Sequence, residues 1–100
     1  MKNFRTFNLA VDFYKQTQCQ KLSVGLKSQL DRAASSIALN LAEARGRNSL
    51  KDQLRFFHIA MGSLRECQAI LELASLRDTA IWQTLDCLGA SLFKLIKCAR

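Results

Sequence analysis

The sequence predicts an all-α fold: an antiparallel up-down-up-down four-helix bundle in a single domain spanning residues 1–100. Three observations carry this prediction. The 100 residues contain no proline and four glycines, too few to turn the corners of an all-β fold. Apolar side chains recur at steps of three and four along four separate stretches. The breaks between those stretches are short, and short connections make consecutive long helices antiparallel neighbours.

The first helix is expected over 8–21, where Phe7, Ala10, Val11 and Tyr14 recur at helical spacing and Leu9 and Phe13 widen the stripe. Ser23-Val24-Gly25 interrupts it. The second is expected over 26–44, on a seam of Leu26, Leu30, Ala33, Ile37, Leu41 and Ala44. Arg45 suits the negative end of that helix, and Gly46 stands where a left-handed cap is favoured. Ser49 and Asp52 resemble a capping box and open the third helix, expected over 50–76 and unbroken except for Gly62. Asp78 or Thr79 then caps a fourth helix over 80–98, with a seam of Ile81, Leu85, Leu88, Leu92, Leu95 and Ala99. At ~1.5 Å per residue the third helix approaches ~40 Å, so the bundle should be elongated.

Fifteen Lys and Arg against eight Asp and Glu leave a net charge of +7, which makes polyanions the first partners to consider. Arg45, Arg47, Lys51 and Arg55 crowd into eleven residues at the hairpin between the second and third helices. Lys94, Lys97 and Arg100 end the chain, and Lys2 and Arg5 begin it. Whether these groups share a surface is left open by the sequence. The guanidinium fork matches phosphate oxygens, so the eight arginines favour phosphate recognition over plain solvation. No stretch approaches the ~18 to 20 apolar residues that span a bilayer, and no secretory leader is evident. The expectation is a cytoplasmic chain whose four cysteines are reduced and serve as small apolar residues.

The third helix carries two apolar stripes, one of Leu54, Phe57, Met61, Leu64 and Leu71, the other of Phe56, Ala60, Cys67, Ile70 and Ala74. One could face the bundle and the other a second subunit, since a small domain buries only ~60% of its surface alone. Two polar lines also stand out. Arg32, Ser36, Asn40, Glu43 and Arg47 follow one another along the second helix at steps of three and four. Ser and Asn are poor mid-helix residues, and a buried hydrogen-bond network would account for them. On the third helix Arg55, His58, Gly62 and Arg65 are similarly aligned, and Gly62 suggests close approach by another helix or by a phosphate backbone.

Catalytic readings find little support. Ser91 and Lys94 match S-x-x-K but lie within the fourth-helix seam, without the other parts of an acyl-transfer site. His58 has no signalled partner, and no metal-ligand spacing or phosphate-cradling glycine loop is present, so neither metal nor cofactor is expected. Long seams on both sides of the second hairpin also argue against a DNA-reading helix-turn-helix.

The segments Gln29 to Ile37, Asn40 to Glu43, Gly46-Arg47, Ser49, and Phe56 to Glu66 resemble the four-helix-bundle proteins encoded in intervening sequences of bacterial 23S ribosomal RNA genes. The resemblance covers roughly 5 to 98, with its specific core at 29 to 66. Ala44 departs from the glycine common there, and the segment between the first two helices is short. The resemblance implies a homo-oligomeric ring, a pentamer, in some relatives with a basic surface for nucleic acid. It also implies likeness to accessory proteins of diversity-generating retroelements, which engage a reverse transcriptase. Arg32, Ser36, Asn40, Glu43, Gly62, Ser63 and Glu66 match the family's motif positions, as structural or interface residues. The leading expectation is a non-enzymatic bundle that binds structured RNA, ahead of DNA, through Arg45, Arg47, Lys51 and Arg55, with Arg65, Lys94 and Lys97 secondary. The competing one is a protein-interaction scaffold.

Overall fold

The computed structural model describes residues 4–99 as four helices: α1 (Phe4–Thr17), α2 (Val24–Arg45), α3 (Leu50–Leu73) and α4 (Ala80–Cys98). Lys2 and Arg100 lie outside the described residues. The body measures 40 × 22 × 18 Å with a radius of gyration of 13.1 Å, the elongated shape expected from α3. Helix α1 packs on α2 and α4, α3 packs on the same two, and the diagonal pairs do not meet. The direction of each pair follows from its contacts. Arg32 pairs with Glu66 while Ser36 meets Ser63, so α2 and α3 run in opposite senses. Gln18 meets Asp31 while Arg45 overlies Phe7, which does the same for α1 and α2. The bundle is antiparallel.

The start and end of α1 fall four residues earlier than the sequence suggests. Thr17 Oγ1 donates to the Tyr14 carbonyl at 2.6 Å, and the Cys19 and Gln20 N–H groups close three-residue turns instead of helical ones. The six residues 18–23 are then needed to cross to α2. Gln18 Nε2 ties this connection to Asp31 Oδ1 at 3.0 Å. Ser23, expected to break the chain, caps α2 by accepting from Leu26 N–H at 3.5 Å, so Val24 and Gly25 are its first turn. Gly46 is not left-handed. Its φ of −84° and ψ of −3° let Gly46 and Arg47 N–H bond to Glu43 and Ala44 carbonyls, tightening the helix end.

Ser49 caps α3 as expected, accepting from Asp52 N–H at 3.1 Å. The helix ends at Leu73 instead of residue 76. Ser75 takes a φ of 61°, and Leu76 N–H reaches back to the Leu71 carbonyl at 2.9 Å, which closes a Schellman motif. That stop uses a left-handed serine where glycine is usual, so no glycine marked it. Thr79 occupies the N-cap position of α4 without a capping bond; its hydroxyl donates to the Leu76 carbonyl at 2.5 Å.

The core is one cluster drawn from all four helices. From α1 it takes Ala10 and Phe13, flanked by buried Thr6 and Thr17. Thr6 shares a 2.5 Å hydroxyl hydrogen bond with Ser91, which satisfies both inside the α1–α4 contact. In α4, Ile96 is buried more fully than Leu95. Both apolar stripes of α3 contribute: Phe57, Leu64 and Leu71 from one, Phe56, Ala60, Cys67 and Ile70 from the other. With α2 on one flank and α4 on the other, α3 buries most of both within a single chain and leaves Leu54, Met61 and Ala74 half-buried. Among the described residues, no helix is long and apolar enough to cross a membrane.

Candidate nucleic-acid interface

Antiparallel alternation brings the start of α1, the end of α2, the start of α3 and the end of α4 to one pole. The described members of the basic groups that the sequence left apart lie there. Arg5, Arg45, Arg47, Lys51, Arg55, Lys94 and Lys97 face two acids, Glu43 and Asp52, for a net of +5. The remaining described residues carry six basic and six acidic side chains, a net of zero. Among the described residues, the net charge is a property of one end.

The arginines at that pole are braced. Arg47 pairs with Glu43 at 2.7 Å and stands over the Phe56 ring at 4.7 Å from its centroid. Arg55 overlies the same ring at 4.3 Å and lies 3.7 Å from Asp52. Arg45 overlies Phe7 at 5.6 Å. Stacking holds a guanidinium plane against its ring while its edge can still take a hydrogen-bond acceptor, as Arg47 does with Glu43, a fitting geometry for phosphate oxygens. Lys51, Lys94 and Lys97 are exposed and make no ion pair with a described residue. The sequence reading missed Phe7 and Phe56 as arginine supports; their spacing from the basic cluster was the available signal. Arg65 stands apart, in the neutral half on the α3–α4 side.

The motif residues form a polar seam between α2 and α3. Arg32 pairs with Glu66 across the helices. Next along, Ser36 and Ser63 hydroxyls meet at 2.8 Å. Asn40 Nδ2 then donates to the Ser36 carbonyl at 2.8 Å and to its hydroxyl at 3.1 Å. Glu43 turns outward to Arg47. This is the hydrogen-bond network expected from Ser and Asn in mid-helix, half-buried and joined to the partner helix through Ser63. At Gly62 a Cβ would meet nothing within 4 Å, so among the described residues no other helix of this chain is the close neighbour, and of the two expected approaches only the intrachain helix is removed. Replacing Ser36 by Ala should cost about 1 kcal/mol, and Ser63→Ala should add little to it, because the hydroxyl bond is already lost. Chemical denaturation of the four members of that cycle checks this.

The thiols divide. Cys67 is buried beside the seam, and burial first, then the Glu66 charge, push its pKa to about 12, against a smaller opposing effect of Arg32. It remains a neutral apolar filler, as expected. Cys19, Cys87 and Cys98 are exposed, so they do not serve the core; all four are free. Among the described residues no group of three His, Cys, Asp or Glu is placed to hold a metal.

A family model described as 23S rRNA-intervening sequence protein matches residues 4–97. Comparison with curated proteins and with solved structures gave no match.

Proposed function

The chain belongs to the 23S rRNA-intervening sequence protein family, and from that premise we propose that it is a non-enzymatic bundle that binds structured nucleic acid, RNA ahead of DNA, through phosphate contacts at its basic pole. One observation carries the reading: +5 at one end against zero over the rest of the described chain. A solubilising charge would be spread, whereas concentration at one pole raises the local potential toward a polyanion. Recognition by shape and phosphate suits a rigid helical end whose charge is carried by exposed lysines and stacked arginines.

Affinity for an RNA hairpin as a function of salt tests this. For duplexes, log K falls against log salt by ~0.9 per phosphate neutralised. The expected slope corresponds to roughly four or more phosphates, with duplex DNA competing poorly. Absence of binding at ~50 mM salt overturns the reading.

Self-association and a protein partner form the second reading, favoured by exposed Leu39 and Ile59, 66% and 42% accessible, which stand in register across α2 and α3 beside the polar seam. A ring built on that face, a pentamer as in relatives, would collect the basic poles on one rim and multiply weak phosphate contacts by avidity. A complex with a polypeptide such as a reverse transcriptase would instead survive nuclease and high salt.

A further inference from the structure

Phe93 is the only exposed aromatic ring among the described side chains, 54% accessible. It lies outside the α4 seam, about 100° around from Leu92. Its ring helps to line a groove of about 360 Å³ between α3 and α4, with Met61 and Ala90 as apolar walls and Arg65 and Gln68 as donors. That size falls at the lower end of the ~300–1,000 Å³ found for small-ligand sites. Arg65 makes no ion pair with a described residue, so its fork is available. Lys97 follows Phe93 by four residues on the same face of α4, and His58 precedes Met61 by three on α3. Phe93 therefore stands at the end of the groove nearer the basic pole. Asp86 lies at its far end, where it would repel a phosphate and accept from a base amino group.

We propose that this groove receives an unpaired base, stacked on Phe93, from a strand whose phosphates continue along Lys97 toward the pole. The inference rests on the nucleic-acid reading above and deepens it: the preferred ligand carries a single-stranded loop or end next to its paired stem. Charge continuity selects a nucleic acid over an apolar peptide, and an exposed ring beside free cations is the arrangement by which single strands are held.

Wild type, Phe93→Ala and Phe93→Trp are to be compared for binding to an oligouridine, a hairpin with an unpaired loop and a fully paired RNA duplex, at one salt concentration. Removing a stacking ring should weaken the oligouridine and the hairpin by at least about fivefold and leave the duplex unchanged. Phe93→Trp should retain wild-type affinity, and all three proteins should melt together. Equal affinity of wild type and Phe93→Ala for the three ligands overturns the base platform while the phosphate reading stands. Failure of wild type to bind any ligand overturns both. A change in solution mass of Phe93→Ala with unchanged affinities assigns the ring to a contact between copies and overturns the proposal.

Discussion

Replacing Lys51, Lys94 and Lys97 together by Glu is expected to weaken binding to an RNA hairpin by roughly 10²–10³-fold at ~50 mM salt and to lower the salt slope by about three. The magnitude follows from counterion release: at ~0.9 per phosphate, each lost contact removes about one order of magnitude at low salt relative to ~1 M. The pole would change from +5 to −1, since three positive charges become three negative ones. These lysines suit the test better than the arginines beside them. Arg47 and Arg55 cover Phe56 and Arg45 covers Phe7, so their reversal would disturb packing and charge together. Lys51, Lys94 and Lys97 are exposed and unpaired with any described residue, and the variant should melt close to wild type. Lys15→Glu with Lys21→Glu, both exposed at the opposite end, is the control, expected to change affinity little. Fluorescence anisotropy across a salt series measures both. Unchanged affinity of the triple variant would remove the pole from consideration.

The grouping of that pole was implicit in the sequence. Once four helices alternate in direction, the start of α1, the α2–α3 hairpin and the end of α4 coincide at one end, and with them the basic residues that those segments carry. Along the chain these groups are separated by about forty residues each, and only the alternation of helix direction joins them. The polar seam was more directly legible. Ser36 and Asn40 are residues a solvated helix face seldom uses, and their step of four pointed to one line. Their partner Ser63 was visible only through the family motif, since the spacing on α3 does not identify a cross-helix contact. Two features resisted reading. The end of α3 is written in the backbone of Ser75, whose left-handed conformation no side-chain pattern announces. Phe93 counts as apolar in any tally, and only its offset from the Leu88–Leu92 seam shows that it leaves the core.

The rotation of α1 is the subtlest case, and a second large effect tests it. Hydropathy alone makes Phe7, Ala10, Val11 and Tyr14 the inward face. The structure turns the helix so that Thr6, Ala10, Phe13 and Thr17 face the core, while Phe7 and Tyr14 sit at its margin. The two threonines are polar, yet each hydroxyl is satisfied, by Ser91 and by the Tyr14 carbonyl, so burial costs little. Phe13 is completely buried, and Phe13→Ala should cost about 3–5 kcal/mol in transfer and cavity terms. A domain of this size has about 5–15 kcal/mol in total. At about 4–8 °C per kcal/mol, the melting temperature should fall by at least ~12 °C. Tyr14→Ala, at a half-buried position, should cost clearly less. Calorimetry of the two variants decides between the two rotations: a Tyr14 substitution that costs more than Phe13→Ala would mean that α1 presents its other face, and with it that Thr6 and Ser91 do not meet.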